Sequence, residues 1–450
     1  MSASIFGTDG VRGIANRDLT PELAFRIGRA GAAVLGDRSD PRKPIVVGRD
    51  TRLSGTMLEA AVIAGITSTG RDTLSLGVIP TPGVARLVVL AGAAAGVMIS
   101  ASHNPIEDNG IKFFGADGFK LSDAEELQIE ATLENDDAPR PTHAAVGIAR
   151  SAHPLVERYV ASLVAAGGDL SGLTIVVDAA FGAAYRVGPH VLAELGATVE
   201  PLCAEDDGAR INVACGSTDL GALAARVLAL RTERPKAHVV GVAFDGDADR
   251  ALFVDETGAT IDGDGVMLIL ARQKKRSGTL RGNTVIGTVM SNIGLERALR
   301  AEGISLGRAA VGDRYVLESM RDGGFNFGGE QSGHLIDLDR NTTGDGPGTA
   351  VALFTVLATE RATLHELAAA LVVSPQILLN IPTERKDVLM DGAVRAAIKR
   401  AEHDLGASGR ILVRASGTEP LIRVMIEGDD AGRIEFLAES VAELVRRAAQ

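Results

Sequence analysis

Three observations predict an α/β chain with three tandem, related α/β domains and a smaller C-terminal α+β domain. A strand–loop–helix signature returns three times, Gly and Pro cluster after apolar runs, and strand-like alternation takes over beyond Pro375. The 450 residues leave room for several domains at ~100–200 residues each.

Thr20 followed by Pro21 reads as an N-cap with proline at the first helical position, and Leu23, Ile27 and Ala30 recur at helical spacing, which predicts a helix over 21–35. The run Ile45-Val46-Val47 ends at Gly48, and RDTRLSG connects it to a helix over 56–67. TIVVD leads through AAFGAA into a second such unit, and TVIG through TVMSN into IGLERALRA makes the third. Ser122 with Glu125, and Thr363 with Glu366, have capping-box spacing. ILLNIP, RILVRAS and LIRVMIEG alternate like antiparallel strands, and 432–449 closes the chain as an amphipathic helix. Domain boundaries are expected in loops, giving 1–153, 154–257, 258–374 and 375–450.

Composition excludes several classes. The net charge of −12 has the wrong sign for a nucleic-acid binder, and 3% aromatic residues without Trp leave no stacking platform. Cys203 and Cys215 show no CxxC spacing and no neighbouring His, which disfavours structural zinc and a disulfide framework and suits a reducing, cytoplasmic compartment. MSASIFGTDGVRG lacks the basic and apolar regions of a signal peptide, and Gly or Pro interrupts the longest uncharged runs, so no membrane span is expected.

Five loops carry chemistry. GVMISASHNP puts the hydroxyls of Ser100 and Ser102 at a strand's carboxyl end, where open α/β sheets place ligands; the bland alternative is a Ser-rich turn stopped by Asn-Pro. It is not G-x-S-x-G, so an acyl-transfer elbow is unsupported. FDGDADR sets Asp245, Asp247 and Asp249 after an apolar strand, and hard oxygens in that number suit Mg²⁺ better than a solvated acidic turn. An EF-hand would use Glu256 at its twelfth position, but Arg250 occupies the sixth, where that loop needs Gly. In RASGTEPLIR, Ser416, Gly417 and Thr418 supply backbone N–H groups between Arg414 and Arg423, either an anion cradle or arginines paired with Glu419. GGEQSGH offers Glu330 and Ser332 to a polyol and His334 to proton transfer. GTDGVRG sets Arg12 to neutralise a phosphoryl group or merely to end a surface turn. A cation site, a hydroxyl nucleophile, a phosphate cradle and a polyol-reading loop together point to phosphoryl transfer on a sugar phosphate.

ISASHNP, DGDADR, GEQSGH and RASGTEP, in this order and spacing, closely resemble the α-D-phosphohexomutase superfamily over the whole chain. GEQSGH, TVMSNIGLE, VGDRYV and RASGTEPLIRVMIE are most similar to the branch that interconverts glucosamine 6-phosphate and glucosamine 1-phosphate. The resemblance implies a heart-shaped molecule of mixed sheets with a central cleft where four domains meet. It implies Ser102 as the phosphoserine, with Ser100 spare, and Mg²⁺ held by Asp245, Asp247, Asp249 and an oxygen of phospho-Ser102. Lys112 and His334 become acid/base groups, Arg12 and Arg250 clamps, Glu330 and Ser332 sugar contacts, and Arg414, Ser416, Gly417, Thr418 and Arg423 the distal phosphate site.

A bisphosphorylated sugar intermediate would turn end for end under a closing fourth domain, with a hexose 1,6-bisphosphate recharging Ser102 if the intermediate escapes. The implied partner is a small phosphosugar alone, with the protein a monomer or homodimer, no nucleic acid or membrane, and a product that feeds cell-wall precursor synthesis. The negative net charge requires local Arg and Lys to reverse the potential around the substrate. Ala248 departs from the Gly of many relatives and would cost ~1 kcal/mol if its φ is positive. The nearest alternatives are a phosphomannomutase or phosphoglucomutase of the same superfamily, and a non-catalytic sugar-phosphate sensor. Intact mass after incubation with a hexose bisphosphate separates the sensor: one added phosphate is expected, whereas an unchanged mass with an active Ser102→Ala variant defeats the phosphoserine.

Overall fold

The computed structural model describes residues 5–7, 9–36, 40, 43–416 and 420–450. The chain divides into two compact units, one of 1–288 with 307–368 and one of 289–306 with 369–450.

The first unit holds three sheets. In the first, the central strand Ile45–Arg49 runs parallel to Thr73–Val78 and Ala95–Ile99. Asp108–Phe114 then returns antiparallel between Ala95–Ile99 and Val11–Ile14. Continuous apolar strands such as Ala95–Ile99, buried at every residue, need cover on both faces. Helices Pro21–Leu35 and Gly55–Thr67 supply one cover, through Ile27, Leu58, Val62 and Ile66 against Val97, Ile99 and Phe113. On the opposite face Val84 and Val88 of helix Thr81–Ala91 lie over Gly96 and Val46.

The second sheet repeats the plan. Leu173–Asp178 lies parallel between Thr198–Leu202 and His238–Phe244, and Ala251–Val254 doubles back antiparallel on His238–Phe244. In the third, Thr284–Thr288 runs parallel to Phe327–Gly329, which pairs antiparallel with Leu335–Asp337. The predicted mixture of parallel and returning strands is therefore present in all three sheets.

The second unit is built on an antiparallel sheet in which Leu421–Gly428 lies between Gln376–Pro382 and Gly409–Ala415. Helices Gly392–Leu405 and Ala431–Ala449 cover it through Val394, Ala401, Val441 and Val445. Helix Ile293–Ala301, the helix of the third repeat by sequence, joins this unit. Its first N–H, on Ile293, donates to Glu427 Oε1 at 3.0 Å, and Gly294 lies so close to Val372 that a Cβ would come within 2.1 Å of the carbonyl oxygen.

Local rules hold where the chemistry is local. Thr20 caps Pro21–Leu35 by accepting from Leu23 N, and both hydrogen bonds of the Ser122/Glu125 capping box form. Thr363 and Glu366 exchange the same pair of bonds at 2.8 and 3.1 Å. Among the described residues no helix is long and apolar enough to cross a membrane.

Helices Pro21–Leu35 and Gly55–Thr67 meet backbone to backbone at Gly28 and Gly65, where a Cβ on Gly65 would stand 2.1 Å from Phe25 O. Gly65→Ala is expected to force the pair apart and cost about 1–3 kcal/mol, read as a lower urea midpoint; an unchanged midpoint contradicts this packing.

Candidate active site

Four of the five loops expected to carry chemistry occupy one topological position, the exception being GTDGVRG, which leads into strand Val11–Ile14. Residues 100–107 join Ala95–Ile99 to its antiparallel neighbour Asp108–Phe114, and 245–250 join His238–Phe244 to Ala251–Val254. Residues 330–334 join Phe327–Gly329 to Leu335–Asp337. In the second unit, 416–420 join Gly409–Ala415 to Leu421–Gly428. A strand that reverses at its carboxyl end leaves a short loop of free polar groups there.

In the first unit these loops converge. Ser102 is buried and its Oγ donates to Asp245 Oδ2 at 2.5 Å, with His103 Nδ1 at 3.3 Å. Burial, and then Arg250 and Arg12, hold His103 down to about 4, so its ring is neutral at pH 7. Ser102 has φ +53°, a left-handed conformation that costs a non-Gly residue ~1–2 kcal/mol and persists only where neighbours impose it.

The neighbour that imposes it is Arg52. Its buried guanidinium donates to the carbonyls of Ser102, Asn104, Pro105 and Asp108 at 2.5–2.9 Å. Asp50 holds the guanidinium at 3.1 Å and also accepts from Ser100 Oγ at 2.6 Å, and Ser100 Oγ accepts from Ser102 N at 2.9 Å. Ser100 is thus a brace for the loop. From the second sheet's side, Asn212 Nδ2 donates to Ser102 O at 2.9 Å.

Asp245, Asp247 and Asp249 are all buried. Burial, then Asp249 and Asp247, push Asp245 well above the ordinary carboxylate range; burial, then Asp247, raise Asp249. Asp247 goes the other way: burial raises it, but Lys112 and Thr81 together outweigh that, Oδ2 accepting from Lys112 Nζ at 2.8 Å and from Thr81 Oγ1 at 2.6 Å. Burial alone would lower Lys112, but Asp247 and Asp9, the latter at 2.9 Å, hold its ammonium above the ordinary lysine range. Lys112 is therefore cationic here, and it can serve as a base only after these partners are released and its ammonium has given up a proton.

Asp247 Oδ1 and Asp249 Oδ1 are buried without a hydrogen-bond partner, and oxygens of all three aspartates lie within 4.8 Å of one another. That donor set fits a hard divalent cation. Ala248 does take positive φ, +56°, as its place in this tight loop required.

Arg12 donates to Ala101 O and Asn104 Oδ1 at 3.2 and 3.0 Å and pairs with Asp9. The backbone N–H of Arg250 donates to Asp245 Oδ1 at 3.1 Å, while its Nε lies 3.9 Å from Asp249. His334 is buried with Nε2 3.8 Å from Asp249 and 3.6 Å from Asp313, and neither ring nitrogen has a hydrogen bond. Its ring lies so close to Gly344 that a Cβ there would come within 2.4 Å of Nε2. Glu330 Oε1 accepts from Gly312 N at 3.0 Å, and Ser332 Oγ is buried without a partner. Among the described residues, most buried side-chain polar atoms lacking a partner belong to these site residues, as expected of a surface built to receive a polar ligand.

In the second unit, Arg414 and Arg423 stand directly opposite across paired strands. Burial and then Arg423 lower the Arg414 guanidinium's pKa. Like charges in that register repel, a cost that an anion beside them lowers. Lys386 Nζ donates to Ser416 O at 2.7 Å, while Gly417 and Thr418 lie outside the described residues.

Sequence reasoning missed Arg52, Asp50, Asn212, Thr81, and a bridge in which Lys120 joins Asp9 at 2.6 Å to Asp313 at 2.5 Å. Their one local signal was the Asp–Arg pair in RDTR directly after an apolar strand.

Family models for phosphoglucomutase/phosphomannomutase match the chain at domain I (3–140), domain II (157–258), domain III (262–374) and the C-terminal domain (378–444). The phosphoglucosamine mutase of Desulforamulus reducens is 50% identical over 98% of this chain and 99% of its own. That of Symbiobacterium thermophilum is 52% identical over 98% of each chain. Among solved structures, a phosphoglucomutase/phosphomannomutase family protein from Burkholderia thailandensis superposes with a TM-score of 0.83 at 23% identity, over 100% of this chain and 98% of that one. The Aspergillus fumigatus N-acetylphosphoglucosamine mutase, solved with GlcNAc-6P and magnesium, gives 0.70 at 18% identity over 99% and 96%; at these identities both show the fold.

Arg52→Ala would leave Asp50 buried and uncompensated and free the loop of Ser102. The expected loss is about 3–5 kcal/mol of stability, partly recovered by adding Asp50→Asn, both read by urea denaturation. A loss below about 1 kcal/mol contradicts the clamp.

Proposed function

We propose a reaction for this site on the premise that the chain belongs to the phosphoglucosamine mutases, within the phosphoglucomutase/phosphomannomutase family. It is a phosphosugar mutase, an isomerase. In our reading it interconverts glucosamine 6-phosphate and glucosamine 1-phosphate through a phosphoserine at Ser102. The observation that carries this reading is Ser102 Oγ hydrogen-bonded to Asp245 at 2.5 Å, beside cationic Lys112 and Arg12.

The substrate's free hydroxyl attacks the phosphorus of phospho-Ser102. A new oxygen–phosphorus bond forms as the Oγ–P bond breaks, and the hydroxyl proton passes to a base. Reversal on the other phosphate of the bisphosphorylated sugar restores phospho-Ser102. His334, whose ring nitrogens have no competing hydrogen bond, and Lys112, once Asp247 and Asp9 release it, are the two proton carriers. Arg12 and Arg250 orient the phosphoryl oxygens, and Glu330 and Ser332 read sugar hydroxyls. Arg414, Ser416 and Arg423, with Gly417 and Thr418, bind a phosphate as counter-ion to the paired guanidinium groups.

Asp245, Asp247 and Asp249, with an oxygen of phospho-Ser102, would hold Mg²⁺, the metal in the A. fumigatus mutase complex. When bound, it supplies neutralisation of phosphoryl charge. A hexose 1,6-bisphosphate restores the phosphoserine if the intermediate escapes.

The test is a panel of sugar 6-phosphates assayed for conversion to the 1-phosphates. Glucosamine 6-phosphate is expected to exceed glucose and mannose 6-phosphates in kcat/KM by at least ~10-fold, since one polar contact at carbon 2 supplies that discrimination. A preference for either neutral sugar would assign the enzyme to the phosphoglucomutase or phosphomannomutase activity instead.

A further inference from the structure

Away from the catalytic loops, the fold gathers two thiols and a carboxylate that are dispersed in the sequence. Asp178 ends strand Leu173–Asp178 and pairs in register with Leu202, which sets Cys203 one residue beyond. Cys215 comes in from the turn that precedes Gly216–Thr218. Both cysteines are free, and their sulfurs and an Asp178 oxygen lie within 4.8 Å of one another. Asp178 and Cys215 are fully buried, while Cys203 is partly exposed, so the cluster opens to solvent on one side.

The carboxylate is held in place before any ligand arrives. Asp178 Oδ1 accepts from Ala180 N at 2.9 Å and Oδ2 from Gly216 N at 2.8 Å, which fixes its plane and leaves lone pairs on both oxygens. Two sulfurs and one oxygen at this spacing match the three-ligand sites of thiophilic divalent ions, with a fourth position left for water.

We propose that Asp178, Cys203 and Cys215 form a second cation site, for a thiophilic divalent ion of the zinc class, separate from the three aspartates. On binding, each thiol exchanges its proton for a sulfur–metal bond and the protons pass to water, with no change of oxidation state. The ion fastens together the two ends of the segment 203–215. That segment carries Asn212, whose Nδ2 donates to Ser102 O at 2.9 Å, and Gly208, which lies against Thr51 so closely that a Cβ would be 1.9 Å from its carbonyl oxygen. The second site therefore reaches the Ser102 loop through one short stretch of chain.

The test titrates the reduced, full-length protein with Cd²⁺ in excess Mg²⁺, which occupies the three aspartates, and reads thiolate-to-metal charge-transfer absorption in the ultraviolet. The absorption is expected to saturate at one ion per chain and to weaken at least ~10-fold in apparent affinity in Cys203→Ser. Cys215 is buried and its variants can fail to fold, so wild-type protein supplies the second readout: Cd²⁺ should protect Cys203 from alkylation by iodoacetamide, counted by intact mass. No thiolate absorption in folded wild type, absorption unaltered in Cys203→Ser, or alkylation indifferent to the ion would each overturn the proposal.

Discussion

Three aspartates buried within 4.8 Å of one another impose the constraint from which the rest of the site follows. Carboxylates removed from water at that spacing cannot all stay charged without cations beside them. The chain answers with Lys112 on Asp247, Arg250 beside Asp249, and Ser102 donating its hydroxyl to Asp245. Lys112 is shared with Asp9, which also engages Arg12 and Lys120, and Lys120 reaches Asp313 next to His334. Acid and base thus alternate from the aspartate loop to the histidine, so altering one member shifts the charge balance of the next. Such a network suits a phosphosugar mutase, whose substrate carries an anionic phosphate.

The placement of these groups comes from one structural device used repeatedly. In each of the three sheets of the first unit a strand reaches its carboxyl end and doubles back, and the reversal supplies respectively the serine, the aspartates and the histidine. Rigid apolar strands fix the base of each loop, while polar residues fill the tip. The serine loop pays for its left-handed turn with a buried arginine whose hydrogen bonds go almost wholly to backbone, so its function is to shape the loop and not to touch substrate.

What was legible in the sequence was local. Helix Pro21–Leu35 and the Ser122 capping box followed from caps and spacing, and the serine, aspartate and histidine loops from polar clusters after apolar strands. Arg52 was illegible because its acceptors lie 50 to 56 residues downstream, and in isolation RDTRLSG reads as a connecting loop. Lys120 and Asp313, 193 residues apart, were beyond any spacing rule. Helix Ile293–Ala301 follows strand Thr284–Thr288 as the third strand–loop–helix unit reads, but its amphipathic pattern does not say that its first N–H donates to Glu427 or that Gly294 lies against Val372. The approach of the two free cysteines to Asp178 was equally illegible, since strand register sets Cys203 beside Asp178 and a turn, not a CxxC motif, brings in Cys215.

The central claim is that Ser102, and not its neighbour Ser100, carries the phosphoryl group. The two serines are two positions apart, but Ser100 Oγ is committed to Asp50 and to the backbone of Ser102, while Ser102 Oγ donates to Asp245. The direct measurement is a single-turnover chase: protein labelled with radioactive phosphate is mixed with glucosamine 6-phosphate, quenched on the millisecond scale, and mapped by peptide sequencing. The account predicts label on Ser102 at the start and its passage to the sugar within one turnover. Label found on Ser100, or label on Ser102 that the sugar does not remove, would contradict it.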